Sequence, residues 1–290
     1  MARTHEARID RPVPNWAAML LGVLSQDRPT VLTRADLLRY IKEVGLHRDP
    51  VEVIRTLVEL DWLTGTHIKG VWNFLPPGET TTGDPYLDLR AWLAKDPDAR
   101  FALAGEATAL HLGYLDRLYD GKVALWMPEG HRPPAGVRPL VSIVRLALPD
   151  GADFAPSWAL LRRKGLDVND WATGLPAFGP EALLVQLAAR PASFGPWGDL
   201  VAHLPVLTAD CDPDRVIALI QGQSMSTWQR TAYLLQAGGR AFSADEVFAK
   251  RPAGKLAHVI MGEGDTGAHD ARFAVLDRLV APLLAQTGKA

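Results

Sequence analysis

The chain has 290 residues, with 31 Lys and Arg against 33 Asp and Glu, 48% hydrophobic residues and one cysteine, Cys211. This balance predicts a folded globular protein and excludes a uniformly basic nucleic-acid-binding chain, because the formal net charge is −2. A single cysteine excludes a disulfide framework and a multi-cysteine metal site, which suits a reducing compartment. The apolar run at residues 16–24 is too short to span a bilayer, so we expect a cytoplasmic protein without membrane contact.

Three helices with recognisable starts are predicted in the first 60 residues. Asn15, Thr33 and Asp49 stand where side chains cap helices, and Pro50 then occupies the first helical position. Gly45 is placed to end the second helix in a left-handed conformation. Apolar residues follow the caps at helical spacing, and the predicted buried faces are Trp16, Met19, Leu20, Val23 and Leu24; Leu37, Leu38, Ile41 and Val44; and Val53, Ile54, Leu57 and Val58.

Short β-prone runs are interleaved with these helices. Residues 30–33 precede the second helix, and residues 62–67 and 71–75 follow the third, joined by the turn Ile68-Lys69-Gly70. The order of helix, strand, helix, helix and hairpin is that of a winged helix, a helix-turn-helix with a hairpin beside it. We therefore predict a winged-helix domain over residues 1–78.

A winged helix places its third helix in the major groove of DNA, so the polar residues on and around that helix are candidate contacts. Arg48 and Arg55 are suited to guanine or phosphate, and His67 and Lys69 lie in the wing. The predicted DNA-binding residues are Arg34, Arg48, Arg55, Thr56, His67 and Lys69. Residues 1–78 hold ten Lys and Arg against nine Asp and Glu, so affinity must come from local placement of charge.

Two further features of this segment bear on DNA binding: a basic N-terminal arm and three acidic residues. Arg3, Arg8 and Arg11 form a loose basic arm that is placed to reach a minor groove. Glu52, Glu59 and Asp61 oppose a phosphate surface, and winged helices also mediate protein contacts. A pure protein-interaction module therefore stays open as the alternative to DNA binding.

A mixed α/β domain is predicted for residues 84–290, after a loop at 78–85, so the whole chain is of the α+β class. The two clearest strand candidates are residues 122–127 and 140–148. Helices are predicted from Asp84 through Leu93 and at 100–111, 182–189, 197–204, 213–220 and 226–235, with a strand at 256–261 and a strand or helix at 271–284.

Several patterns imitate catalytic or ligand-binding motifs but lack the context that those motifs need. The run GEGDTG at 262–267 matches a dinucleotide fingerprint, but too few residues follow it for a βαβ unit, so a tight turn between strands is expected. Asp265, His269 and Asp270 lack metal-ligand spacing. His111 reads as a structural histidine, and Ser224 lacks the glycines of a nucleophile elbow. We predict no catalytic residue, no metal and no cofactor.

One dense basic cluster, Arg162-Arg163-Lys164, stands in the second half of the chain. Such a run is usually a solvated face, and it also suits a nucleic acid or an acidic partner. It does not decide between these readings.

Five segments stand out by their order and spacing along the chain. They are GVWNFLPPG (70–78), RFALAGEATALHLG (100–113), VALWMP (123–128) with the loop 130–132, GLPAFGPEALL (174–184) and TWQRTAYLL (227–235). Together they resemble the AbiEi family of antitoxins, from toxin–antitoxin systems often classed as type IV. The resemblance extends over nearly the whole chain and includes mycobacterial members.

The resemblance implies two roles. The N-terminal winged helix would bind inverted repeats in the promoter of its own operon and repress it, and the C-terminal domain would oppose a nucleotidyltransferase-like toxin encoded beside it. It implies no catalytic residue, and direct contact with the toxin stays open. Two alternatives remain: a one-component regulator whose C-terminal domain senses a ligand, and an enzyme that modifies the toxin.

Overall fold

The computed structural model describes residues 11–117, 121–149 and 174–287. These residues form eleven α-helices and three small sheets of three strands each, which is the predicted α+β class. None of the helices in this part of the chain has the length and apolar character needed to cross a membrane.

The chain divides into two compact units. The N-terminal unit consists of the described residues of Met1–Ala99 and Pro133–Pro139, and the C-terminal unit consists of those of Arg100–Arg132 and Leu140–Ala290. The boundary predicted at residues 78–84, between a DNA-binding domain and an antitoxin domain, stays a prediction.

The N-terminal unit has the order of elements that was predicted for a winged helix. The elements are α1 (Ala18–Asp27), β1 (Leu32–Thr33), α2 (Arg34–Glu43), α3 (Pro50–Glu59), β2 (Leu63–Gly65), β3 (Val71–Phe74) and α4 (Leu87–Lys95). Strands β1 and β2 both pair antiparallel with β3, so β3 is central in the sheet.

The starts of α2 and α3 follow from local side-chain caps, as predicted. Thr33 accepts a hydrogen bond from the backbone N–H of Asp36, and the Asp36 carboxylate accepts one from the N–H of Thr33, which completes a capping box. Asp49 accepts from the N–H of Val51 at 3.0 Å. Gly45, after α2, has φ +64°, the left-handed conformation expected there.

Removing the α2 cap should destabilise the N-terminal unit. We expect Thr33→Ala to lower its free energy of unfolding by about 0.5–2 kcal/mol, because an N–H of the first turn loses its acceptor. The exposed Thr30, three residues earlier, provides a matched control whose alanine variant should change stability by less than about 0.5 kcal/mol. Urea unfolding measures both variants, and equal midpoints would contradict the capping role.

The core of this unit lies between the three helices and the sheet. Most predicted buried positions are confirmed, among them Leu20, Leu37 and Leu57. Three predicted core residues are wrong, since Met19, Leu38 and Val58 are exposed. Asn15 also fails as a cap, because Asn15–Ala17 forms a 3-10 turn that leads into α1. Leu21, Tyr40 and Trp62 fill the core instead.

The C-terminal unit begins with a mixed sheet in the order β4-β5-β6. β4 (Ala102–Leu103) pairs antiparallel with β5 (Val123–Trp126), and β5 pairs parallel with β6 (Val141–Val144). β5 confirms the strand predicted at 122–127. The strand predicted at 140–148 is too long, because β6 ends at Val144, while Trp126 Nε1 donates to the carbonyl of Leu146 at 2.7 Å.

The helix predicted at residues 100–111 is wrong in its first half. Leu103 lies in β4, where its N–H donates to the carbonyl of Pro176 at 2.7 Å and its carbonyl accepts from the N–H of Phe178 at 2.9 Å. Helix α5 (Gly105–His111) begins only afterwards, at a glycine with φ +52°. Ala and Leu favour helix in isolation, so long-range pairing has overridden local propensity here.

A helical layer follows the β4-β5-β6 sheet in the chain. The predicted helices at 182–189, 197–204, 213–220 and 226–235 are confirmed, and a helix that was not predicted follows them. They are α6 (Pro180–Ala189), α7 (Trp197–Asp210), α8 (Pro213–Ile220), α9 (Met225–Ala237) and α10 (Ala241–Ala249). Trp228, fully buried on α9, belongs to one continuous apolar core that also includes Leu183 and Leu204.

A third sheet, in the order β7-β9-β8, and helix α11 (Val280–Thr287) end the described chain. β7 (Val259–Met261) confirms the strand predicted near 256–261, and the 271–284 segment contains both β9 (Val275–Asp277) and the start of α11. Residues 262–267 connect β7 to β8 (Ala268–Asp270), which lie on opposite sides of β9. The loop is therefore not a tight turn between paired strands, and a strand rather than a helix follows it.

Candidate nucleic-acid interface

The outer face of α3 is accessible and carries Glu52, Arg55 and Glu59 beside two exposed valines, Val51 and Val58. Val53, Ile54 and Leu57 are buried, which turns the remaining side chains of the helix away from the core. The Arg55 side chain is 67% exposed, with its Nε 3.8 Å from a carboxylate oxygen of Glu59 one turn later. Such an exposed pair is weak, so the guanidinium can exchange Glu59 for a phosphate or a base edge at little cost.

The other predicted contacts near the helices differ in accessibility. Arg34 is exposed at the first position of α2, and Arg48 is exposed just before α3. The guanidinium carbon of Arg48 lies 4.9 Å from the ring centroid of Trp16, so the side chain is held over an aromatic face. Thr56 is half-buried. Of these residues, Arg34, Arg48 and Arg55 are therefore placed to reach a ligand.

The wing of the proposed winged helix is the β2–β3 hairpin with the turn at residues 66–70. Thr66 Oγ1 lies 3.2 Å from the Ile68 carbonyl and 3.0 Å from the Val71 carbonyl, which closes the turn from inside. Ile68 is buried, whereas Lys69 is exposed, and Gly70 has φ +80°. Lys69 is thus the cation at the tip of the hairpin.

His67 lies on the same turn, but its ring is already engaged. Its Nδ1 is 2.9 Å from Oδ2 of Asp88, and its backbone N–H donates to Oδ1 of the same carboxylate at 2.8 Å. Because a carboxylate only accepts, Nδ1 must donate, which leaves Nε2 as the ring atom open to a ligand. The side chain of His67 remains 60% exposed.

The basic arm predicted at the N-terminus is fixed at its described end. Arg11 donates to the carbonyl of Leu75 at 2.8 Å and to the carbonyl of Glu79, and its guanidinium lies over the Trp62 ring at 5.3 Å. Arg11 is therefore packed on its own unit and does not extend freely. Arg3 and Arg8 lie outside the described residues, as does the cluster at 162–164.

The six predicted residues thus occupy three elements of one unit. Arg48, Arg55 and Thr56 belong to α3 and the turn before it, His67 and Lys69 to the wing, and Arg34 to the start of α2. Their role in binding stays a prediction.

In the C-terminal unit, a buried carboxylate that the sequence did not single out connects two helices. Glu181, in the first turn of α6, is 2% exposed. Its Oε1 accepts from the N–H of Asp212 at 3.1 Å and lies 3.7 Å from Nη1 of Arg215. Burial raises the pKa of the Glu181 carboxyl above its usual range, and the charge of Arg215 offsets this only in part.

Asp270 and His269, two of the three residues that imitate a metal cluster in the sequence, already have hydrogen-bond partners. Asp270 accepts from Gln236 Nε2 at 2.6 Å and from the N–H of Phe273 at 2.9 Å, so both its oxygens are used. His269 Nε2 lies 3.2 Å from Nδ1 of His258. Within residues 11–117, 121–149 and 174–287, no three His, Cys, Asp or Glu side chains are grouped to hold a metal ion.

His111 and Ser224 also have structural settings. His111 is at the end of α5, where burial lowers the pKa of its ring. Ser224 caps α9 by accepting from the N–H of Thr227 at 3.4 Å.

A family model and a solved structure are similar to this chain. Residues 102–237, nearly all of the C-terminal unit up to the end of α9, match the family model described as AbiEi antitoxin C-terminal domain. A solved structure, the crystal structure of the RV2827C protein from Mycobacterium tuberculosis, superposes with a TM-score of 0.84 at 46% sequence identity and covers 98% of each chain. No curated protein sequence matches the chain.

The chain belongs to the AbiEi antitoxin family.

AbiEi antitoxins are regulatory proteins, and membership supports an antitoxin role. In this AbiEi protein, the segment GLPAFGPEALL that suggested the family forms a strand-to-helix transition: Ala177 bridges to Leu103, Pro180 begins α6, and Glu181 enters the interior. An acidic residue directly after Pro at a helix start reads locally as an exposed first-turn acid. In the sequence, the burial of Glu181 is indicated only by the continuous apolar run that follows it.

The buried state of Glu181 in the AbiEi domain predicts a pH dependence. A carboxyl whose pKa is raised on folding contributes stability below its unfolded pKa, and this contribution is lost as the pH rises through the folded pKa. Because Gln cannot ionise, Glu181→Gln should gain stability relative to the wild type as the pH rises from about 5 to about 8. Urea unfolding across this range measures the difference. Glu263→Gln, at an exposed position, is the control. If the stability difference between Glu181→Gln and the wild type does not grow with pH, the raised pKa of Glu181 is contradicted.

Proposed function

We propose that this protein is a DNA-binding antitoxin that represses its own toxin–antitoxin operon. In this proposal the N-terminal unit is a winged helix that binds duplex DNA, and the C-terminal unit counteracts a nucleotidyltransferase-like toxin. The observation that supports the DNA-binding half most directly is the exposed face of α3, with Arg55, in a unit whose hairpin presents Lys69 at its tip.

The charges of this surface favour a small number of defined contacts. Glu52 and Glu59 are exposed on α3 with Arg55, so the helix offers no continuous basic stripe to the phosphates. Few phosphate contacts give a shallow dependence of affinity on salt, and more of the binding free energy must then come from base edges. We therefore expect sequence-selective binding with Arg55 at a base and Lys69 at a phosphate.

The antitoxin half of the proposal is supported by the family. The segment 102–237 matches the model of the AbiEi antitoxin C-terminal domain, and it does not include α3 or the wing. We accordingly propose that repression and antitoxin activity depend on different units, with inverted repeats in the operon's promoter as the DNA target.

The DNA-binding half is tested by fluorescence anisotropy with the full chain. The probe is a labelled duplex from the region upstream of its own gene, and the control is a shuffled duplex of the same composition. We expect tighter binding to the native duplex, weakening as salt rises from about 50 to about 200 mM. Equal affinity for both duplexes, or no binding at the lower salt, would contradict sequence-selective repression.

The antitoxin half is tested by co-expression with the product of the neighbouring gene. We expect the full chain, expressed from an unrelated promoter, to restore the growth of cells that express the toxin. The Arg55→Ala/Lys69→Ala variant should restore growth equally while losing repression of a promoter reporter. Loss of both activities would place antitoxin activity and DNA binding on one surface, and growth arrest with the full chain would remove the antitoxin role.

A further inference from the structure

The wing turn is held by a residue from outside the hairpin. Asp88, in the first turn of α4, accepts the backbone N–H of His67 with one carboxylate oxygen and contacts His67 Nδ1 with the other, at 2.8 and 2.9 Å. The Asp88 side chain is only 19% exposed, so solvent competes weakly for these two contacts. The turn is thus fixed through both the backbone and the side chain of one residue.

A second segment, at Gly136, packs closely against His67. Gly136 belongs to Pro133–Pro139, the part of the N-terminal unit that comes from later in the chain. A Cβ atom built on Gly136 would lie 2.1 Å from the carbonyl oxygen of His67 and 3.2 Å from its Cβ. Gly136 does not have a positive φ, so the need for glycine at this position is one of space. A side chain here would therefore force the wing turn or residues 133–139 to shift.

We propose that Asp88 and Gly136 are positioning residues for DNA binding, which act by fixing the wing turn so that Lys69 is presented in one place. This inference rests on the proposed function. β2 has three residues and β3 has four, and a hairpin this short has little orientational stability of its own. Anchoring at His67 reduces the conformational entropy that Lys69 and its turn lose on binding.

The sign of the effect separates positioning from simple electrostatics. Removing an acidic side chain from a DNA-facing unit reduces repulsion of the phosphates and, acting alone, raises affinity. If Asp88 positions the wing, its removal lowers affinity despite the more favourable charge. Asp98, exposed in the same unit beyond α4, serves as the matched control, because Asp98→Ala removes the same charge without touching the wing.

The test measures the affinity of full-chain variants for the upstream duplex by anisotropy. We expect Asp88→Ala and Gly136→Ala to weaken binding by about tenfold each through loss of preorganisation. Asp88→Asn, which keeps an oxygen for the His67 N–H, should lose less, and Asp98→Ala should bind as well as the wild type or better. In a Lys69→Ala background, Asp88→Ala should cause no further loss of affinity, whereas a general loss of stability would remain additive.

The inference is overturned if Asp88→Ala and Asp88→Asn bind as tightly as Asp98→Ala, or if the effects of Asp88→Ala and Lys69→Ala add. Asp88→Asn has nearly the shape of the native side chain and keeps this test available if Gly136→Ala does not fold. A wild-type chain that fails to bind the duplex removes the proposed function itself. That outcome differs from a wild type that binds and an Asp88 variant that is unaffected.

Discussion

A variant with alanine at both Arg55 and Lys69 is expected to lose most of its selective affinity for the upstream duplex. Arg55 is exposed on α3, where a guanidinium can donate two hydrogen bonds to guanine, and loss of such a contact costs about 1–3 kcal/mol and relaxes specificity at one base. Lys69, at the wing tip, has the position of a phosphate contact. Its loss should weaken binding to all duplexes and reduce the slope of log affinity against log salt by about 1.

The single variants separate the two roles. Arg55→Ala should lower affinity for the native duplex more than for the shuffled one, whereas Lys69→Ala should lower both alike. A matched control is Arg39→Ala/Lys42→Ala, which removes two positive charges from exposed positions of α2. If this control loses as much affinity as the Arg55/Lys69 variant, only net charge matters and the assignment of α3 and the wing fails.

Asp277→Ala is expected to have the largest effect on stability. Asp277, at the end of β9, is fully buried, and its carboxylate accepts from the hydroxyl of Tyr233 at 2.6 Å and from the N–H groups of Leu279, Val280 and Ala281 at 2.8, 2.9 and 2.5 Å. It therefore joins α9, the third sheet and the start of α11. Without it, three backbone donors and a buried hydroxyl lose their acceptor, which should cost about 3–5 kcal/mol.

Two further variants divide this effect. Tyr233→Phe removes one bond and should cost about 1–2 kcal/mol, and Asp277→Asn, which retains one acceptor oxygen, should fall between the two. Asp265→Ala, exposed in the loop at residues 262–267, is the control and should leave stability unchanged. Urea unfolding of the full chain measures all four. A loss below about 1 kcal/mol for Asp277→Ala would show that α11 and the third sheet do not depend on this carboxylate.

The proposed DNA surface and the proposed antitoxin unit are encoded in different ways. The residues of the surface lie close together in sequence, from Arg34 to Lys69, and their exposure follows from the periodicity of two short helices and a hairpin. The polar contacts of the C-terminal unit join residues that are far apart, such as Glu181 with Arg215 and Tyr233 with Asp277. Variants of the first kind should alter binding, and variants of the second kind should alter folding.

The sequence by itself determined the elements whose signals are local. Thr33 and Asp49 cap α2 and α3 through hydrogen bonds within three residues, and the apolar spacing of α3 exposes Arg55 whatever surrounds the helix. These inferences succeeded because the interactions that decide them lie within one turn of helix or one strand.

The tertiary structure alone decided the features that depend on distant partners. Residues 102–103 favour helix by propensity, yet they form a strand because they pair with β5 and with the segment before α6. The sequence around Arg11 predicts a free basic arm, but the Arg11 guanidinium packs on the Trp62 ring and donates to two backbone carbonyls. Likewise, Asp88 reads as an ordinary first-turn acid until the fold brings the wing to it, because the partner of a side chain 21 residues away cannot be read from helical spacing.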